Sequence, residues 1–336
     1  MEDSECKLPS DAPEQLLIKS QDITDPSYGC DPYKRDIETL LEYGVINFDK
    51  PSGPTSHEVV SWVRKILNVS NAGHGGTLDP KVTGVLPCAL GKATRILSAL
   101  LTAGKEYVGV MYLHDKFPKK KIERVFKIFT GKIYQRPPLK SSVSRRLRIR
   151  EIYYNKILEI QGNHILFRIG CEAGTYIRKL CFDIGEALLS GGHMVELRRT
   201  RVGNFREDDR LITLQNLKDA YTIFRMEGDE RYLRHFIFPA EKMVEHIPKI
   251  YVRDSAVDAL CHGANLAAAG CCYIDARIKK DDLIALMTLK KELIGFAIAT
   301  KDAMQIYKAK SGIMATIKRV FMERKTYPHW REKKSQ

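Results

Sequence analysis

Four short segments set ionisable, aromatic and glycine residues into otherwise apolar surroundings: DKPSGPTS (49–56), GHGGTLDPKVTG (73–84), GKEYVG (104–109) and EAGTYIRK (172–179). Asp79 offers a carboxylate that can act as a nucleophile. Arg178 offers a planar fork that grips a carboxylate at two points. Tyr107 and Tyr176 offer flat faces for another ring. Each has a simpler reading when taken alone. Asp79-Pro80 is a turn initiator, His74 a satisfied loop residue, and both tyrosines core aromatics with a hydroxyl at the surface. Arg178 fits such a reading least well. It falls in the first turn of an expected helix, where the macrodipole does not favour a cation, so a nearby carboxylate partner is expected.

Other chemistries find no support. Gly91-Lys92-Ala93-Thr94 lacks both the earlier glycine and the Ser or Thr directly after lysine that a phosphate loop needs. His57-Glu58 opens like a zinc-protease helix, but residue 61 is Ser where the second His should stand. There is no GxSxG elbow and no GxGxxG fingerprint. No metal and no cofactor is expected.

The elements that must hold these segments are partly readable. GVINF (44–48) is an apolar strand, followed by a Pro, Gly and Ser turn. Thr55 and Glu58 have capping-box spacing, and Val59, Val60, Val63, Ile66 and Leu67 then share a helical face. Residues 150–174 read as a hairpin turning at Gln161-Gly162-Asn163. The helix after it puts Ile177, Cys181, Ile184 and Leu188 inward. From Ile247-Pro248 to about Met322, short apolar segments (KIYV, CCYI, LIALMTL, LIGFAIA, IMATIKRVFM) read as a small β-barrel or sandwich. Cys271-Cys272 is expected as a strand with one face in and one out. Residues 1–43 read as an extension without a sustained period.

The chain has 336 residues, 44% hydrophobic and 29% charged, enough for two packed domains. Its 55 Lys and Arg against 41 Asp and Glu give a net charge of +14, which points to polyanionic partners, nucleic acid first. Two basic runs, 116–127 and 140–150, add to that. No stretch approaches the roughly 18 uncharged apolar residues of a spanning helix, and the acidic start MEDSECKLPSD is unlike a signal peptide. The eight cysteines form no CxxC pair and read as reduced thiols.

Together and in this order, the four motifs resemble those of the pseudouridine synthase family that contains the bacterial tRNA T-loop enzyme and dyskerin. The likeness runs from about residue 28 to the end. IYQRPPLKSSVSRRLRIR and the closing MERKTYPHW are similar to the dyskerin branch, particularly its archaeal members. The resemblance implies an α+β fold: a catalytic domain at 44–247 with a mixed, largely antiparallel sheet and flanking helices, and a PUA RNA-binding β-barrel at 248–323. It also implies an N-terminal extension at 1–43 that packs on the barrel, and a basic tail at 324–336. Carried over residue by residue, it makes Asp79 the nucleophile, Tyr107 the base-stacking tyrosine and Arg178 the partner of Asp79. Tyr176 becomes an active-site aromatic and Leu197 an apolar pocket residue, while Lys50 and His74 fall at the RNA-facing rim.

The implied activity is isomerisation of uridine to pseudouridine, in the TΨC loop of tRNA and, within an H/ACA guide ribonucleoprotein, in rRNA. The implied partners are tRNA, H/ACA guide RNA, rRNA and three small core proteins: a glycine-arginine-rich type, a very small one and a kink-turn binder. No membrane partner is implied. The bacterial members' inserted RNA-gripping loop has no evident equivalent here, and the long Lys-rich tail of eukaryotic dyskerins is missing. An archaeal-type, cytoplasmic protein is therefore expected, with a nucleolar place if eukaryotic. The contrasting reading is a non-catalytic RNA-binding scaffold with a PUA domain, which would have no need of both Asp79 and Arg178.

Overall fold

The computed structural model describes residues 6–137 and 146–328. Residues 140–145 of the second basic run, residues 329–336 of the expected tail and residues 1–5 of the expected extension lie outside the described residues. The chain divides into two compact units, Met1–Asp11 with Val45–Ile237, and Ala12–Gly44 with Phe238–Gln336.

The first unit is the expected mixed, largely antiparallel sheet. Its strands include β1 (Gly44–Lys50), β2 (Ala72–His74), β3 (Thr83–Leu90), β4 (Lys105–Leu113), β5 (Gly131–Gln135), β6 (Arg148–Gln161), β7 (His164–Cys171) and β8 (Gly192–Val202). They lie in the order β1-β3-β8-β4-β7-β6-β5, with β2 on β3. β3 and β8 run parallel, paired at Thr83 with Arg198 and Gly84 with Arg199. β1 is a near-continuous apolar run because it is covered on both faces, with Val45, Ile46 and Phe48 wholly buried. The β6–β7 hairpin turns where the sequence predicts, with Gln161 opposite His164.

Helix α1 (Ser56–Ile66) starts at the predicted capping box. The Thr55 hydroxyl accepts from Glu58 N at 3.2 Å, and the Glu58 carboxylate accepts from Thr55 N at 2.7 Å. Helix α2 (Lys119–Ile128) turns the first basic run outward, with Lys119, Lys120, Lys121, Arg124 and Lys127 exposed and Ile122, Val125 and Phe126 buried. Helix α3 (Ile177–Ala187) buries Ile177, Leu180, Cys181 and Ile184 beside them against Met111, Ile165, Phe167 and Ile169 of the sheet. Both helices therefore cover one face of the sheet, and α3 carries Arg178 at its start.

The second unit is a seven-stranded sheet around one hydrophobic cluster. Its first strand is Leu16–Ile18, which pairs antiparallel with Cys271–Asp275. The expected strands are present, but two helices, Asp254–Cys261 and Ala303–Lys308, stand between them. Cys271 and Cys272 are both buried: Cys271 lies in the hydrophobic cluster, and the Cys272 thiol on the other face has Arg253 and Asp22 of the extension beside it. The extension also divides differently from expectation. Residues up to Asp11 belong to the catalytic unit, where the Asp11 carboxylate accepts from Arg201 and from Arg206 at 2.8 Å. The second compact unit begins at Phe238, ahead of the barrel segment expected from Pro248, because Glu241 already accepts two bonds from Arg35 at 2.9 Å and one from Leu293 N at 3.2 Å.

The contact that places α3 on β8 has no room for a side chain. A Cβ on Gly185 would lie 2.3 Å from Gly192 N and 2.5 Å from the carbonyl carbon of Gly191. Gly185→Ala should push α3 off the sheet and destabilise the unit by about 1–3 kcal/mol, the usual range for overpacking. Chemical denaturation measures it, and an unchanged midpoint would show that the helix has slack at this point.

Candidate active site

Asp79 sits in the loop between β2 and β3, and the residues on either side of it are fastened to the interior. The Ser56 hydroxyl donates to Leu78 O at 3.1 Å and accepts from Leu78 N at 2.9 Å. The Lys50 ammonium donates to Pro51 O and Pro80 O at 2.9 Å and to Val82 O at 3.0 Å. Gly53 N adds a bond to Pro80 O at 3.0 Å. The Pro-Gly-Ser turn and the first residue of α1 thus serve as a mount for the loop. Lys50 is a correction to the sequence reading. The sequence puts it at the RNA-facing rim, but its side chain is wholly buried. An enclosed ammonium must find acceptors, and three carbonyls take all its donors. Burial, with Arg199 nearby, lowers its pKa.

Arg178 reaches across from the first turn of α3 and donates through Nη2 to Asp79 Oδ2. The carboxylate partner expected for this misplaced cation is therefore Asp79, 99 residues away in the chain. Both side chains are 56% exposed, so water reaches the pair in the free protein. The start of α3 is pinned by a residue that sequence reasoning missed. Gln135, nearly fully buried at the end of β5, accepts from Tyr176 N at 3.0 Å and donates to Tyr176 O at 3.2 Å.

β4 and β8 supply the remaining wall. Tyr107 on β4 is half-buried, and its hydroxyl is hydrogen-bonded by Arg199 of β8. Burial pushes the phenol pKa up, which keeps it protonated, while Arg199 partly opposes that shift. Arg199 is a second missed residue. It is 1% exposed, donates from Nε to Val85 O at 2.8 Å and from Nη2 to Gly76 O at 3.1 Å, and so ties β8 to β3, to the Asp79 loop and to Tyr107 at once. A signal was present: Arg199 lies two residues after Leu197, and alternate residues of a strand share a face. Lys105 is also buried here. It donates to Leu100 O, Leu101 O and Ala103 O at 3.0, 3.1 and 2.7 Å, and burial pulls its pKa down to about 7.

Asp79, Tyr107, Tyr176, Arg178, Leu197 and Arg199 line one cleft of about 550 Å³. Five of the seven sequence-predicted site residues meet there. Lys50 and His74 do not line it. His74 is partly buried beside it, its ring edge-on to His57 at a centroid distance of 5.0 Å. Burial, followed by the His57 and Arg199 charges, lowers its pKa to about 4, so it is neutral at neutral pH. Its Nδ1 accepts from Gly76 N at 3.4 Å, and its Nε2 is buried without a hydrogen-bond partner among the described residues. The cleft can therefore present a carboxylate, a guanidinium, an aromatic face and an apolar wall to one flat ring.

Lys50→Met keeps the length of the side chain and takes the ammonium donor away from three carbonyls, of which Pro80 O keeps the bond from Gly53 N. We expect a stability loss of about 1–3 kcal/mol and, because Asp79 is no longer held, a turnover about tenfold or more below the parent with KM little changed. Parent-level turnover in a folded Lys50→Met protein would show that the loop keeps its shape without the clamp.

Comparison with known proteins identifies the family. Residues 64–177 match the TruB family pseudouridylate synthase N-terminal domain and residues 178–245 the tRNA pseudouridylate synthase B C-terminal domain. Residues 5–60 match the DKCLD domain and 248–321 the PUA domain. The chain is similar to the probable tRNA pseudouridine synthase B of Methanosarcina barkeri, at 56% identity over 97% of each chain. It resembles that of Methanopyrus kandleri at 54% identity, over 97% of this chain and 96% of the relative. Among solved structures, it resembles a chain of a Cbf5-Nop10-Gar1 complex with a TM-score of 0.92 at 54% identity, over 96% of this chain and 98% of that one. It also resembles a chain of an H/ACA ribonucleoprotein bound to a substrate RNA containing 2′-deoxyuridine, with a TM-score of 0.91 at 51% identity, over 96% and 99% of the two chains. With relatives this similar along nearly its whole length, the chain belongs to the TruB and dyskerin family of pseudouridine synthases.

Proposed function

We propose that this enzyme isomerises uridine in the TΨC loop of tRNA and, as the catalytic subunit of an H/ACA guide ribonucleoprotein, in rRNA, with Asp79 as its nucleophile. One observation carries the reading: Asp79 and Arg178 are brought into contact over a cleft whose wall is Tyr107. The reaction breaks the bond from ribose C1′ to uracil N1 and forms one from C1′ to C5. A proton leaves C5 and N1 gains one, so nothing is added or lost. A carboxylate attacks and holds one fragment while the ring turns over, and the Arg178 guanidinium in contact with Asp79 keeps that carboxylate aimed. The Tyr107 ring receives the uracil once it has left its stack, with Tyr176 and Leu197 bounding the space. Because Asp79 is half-exposed in the free chain, the bound RNA must complete the exclusion of water.

The partners in this reading are tRNA, guide RNA and rRNA, with three small core proteins of the glycine-arginine-rich, very small and kink-turn-binding types. Two similar structures support it, being complexes with Nop10 and Gar1 and with a substrate RNA. The net charge of +14 suits an RNA scaffold, and binding should weaken as salt rises through counterion release.

The test is isomerisation of a uridine in a transcript, assayed with and without guide RNA. Asp79→Asn keeps the size and removes the charge. It should show no detectable turnover and near-normal RNA affinity. Arg178→Lys should also lose most turnover, because an ammonium on a shorter stem cannot replace the planar guanidinium that reaches Asp79. Measurable turnover by Asp79→Asn would overturn the nucleophile assignment, and parent rates in Arg178→Lys would show that the pair is unimportant.

A further inference from the structure

The central strand pair β4–β8 continues past its last paired residues, Leu113 and Gly192, in an arrangement that the isomerisation does not use. His114 Nε2 lies 3.2 Å from His193 Nδ1, and both side chains are exposed. The two rings are held from below. His114 N donates to Gly191 O at 3.1 Å, His193 stands opposite Tyr112 in the ladder, and the Tyr112 ring lies 5.6 Å from the His193 ring. The backbone makes room for the pair. Gly191 has φ +116°, and a Cβ there would come within 2.7 Å of His114 Nδ1, so only glycine at 191 lets the imidazole lie where it does.

Two imidazole nitrogens this close share either one proton or one cation. A zinc ion with ligands at roughly 2.0–2.1 Å and tetrahedral angles sets two ligand nitrogens about 3.3 Å apart. The observed separation is already close to that bite, so no strand has to move. We propose that His114 and His193 chelate one transition-metal ion of the Zn²⁺ class, with water filling its remaining positions. Among the described residues no set of three His, Cys, Asp or Glu side chains is grouped to hold a metal. The site is therefore an open, exchangeable clip and not a closed structural cage. Imidazole ligands suit Ni²⁺ and Cu²⁺ as well as Zn²⁺. Along β4 the site lies between about 17 Å (Tyr112, opposite His193) and about 24 Å (His114) from Tyr107, at roughly 3.4 Å per residue. The ion would act by joining the ends of the two strands that carry Tyr107, Leu197 and Arg199, and not by touching substrate.

The experiment is titration calorimetry of the full chain with Zn²⁺ and, separately, Ni²⁺, together with thermal melting in each. One ion per chain is expected, with a melting point that rises with metal concentration because the paired imidazoles are set at this bite only in the folded strands. His114→Gln and His193→Ala should each weaken that binding about tenfold or more and abolish the thermal shift, with metal-free melting near the parent's as proof of folding. His57→Ala, at the other histidine pair, should leave both unchanged. Absence of binding in the parent, binding that survives both the His114 and His193 substitutions, or binding lost in His57→Ala would each overturn the proposal.

Discussion

A carboxylate proposed as a nucleophile has to be held still without being neutralised, and the backbone around Asp79 meets that constraint. The ion pair with Arg178 is half-open to water, and exposed pairs of that kind contribute only about 0–1 kcal/mol. Such a pair can aim the carboxylate but cannot fix its backbone. Fixing comes from the fully buried Lys50 and from Ser56, whose bonds fall on Leu78, Pro80 and Val82, to either side of Asp79. Removing one partner from an enclosed polar cluster leaves groups unsatisfied, and that penalty is larger than the surface pair's worth. The conformation of the Asp79 loop is thus a property of β1 and α1, upstream in sequence.

The rest of the cleft follows from the same division between holding and reacting. Arg199 commits its guanidinium to two carbonyls and the Tyr107 hydroxyl, which locks three segments of the wall into one unit. Gln135 fixes the first peptide of α3, and the close approach at Gly185 seats that helix. Arg178 and Tyr107 then stand in defined places without being used up by structure. The groups left with accessible chemistry are those aimed into the cleft.

Much of this is legible in the sequence, and the failures have physical reasons. The strand, capping box and helix at 44–66 are local signals, and the hairpin at 161–163 depends on its own turn. Asp79 and Arg178 are recognisable by motif, and the awkward place of a cation in the first turn of α3 points to its partner. Lys50 is misplaced because a lysine beside a Pro-Gly turn looks the same in sequence whether it faces solvent or a cage of carbonyls, and the cage forms only when the loop folds back. Arg199 escapes notice although strand periodicity puts it on the same face as Leu197. The helices Asp254–Cys261 and Ala303–Lys308 are hidden among brief apolar runs, where strand and helix patterns are hard to separate. Cys272 reads as facing outward because the extension that covers it lies about 250 residues earlier in the chain.

The central claim is that the position of one carboxylate, set by the clamped loop, governs the chemistry. Asp79→Glu tests it most directly, because the charge is kept and the carboxylate moves by one methylene. The measurement is the single-turnover rate of uridine isomerisation in a bound transcript, beside the affinity for the same RNA. A displacement of about 1 Å lowers such rates by roughly a hundredfold, so the account predicts parent-like affinity with turnover down by about that factor or more. An Asp79→Glu protein that isomerises uridine at close to the parent rate would contradict it, since a negative charge in the cleft would then suffice wherever it stood.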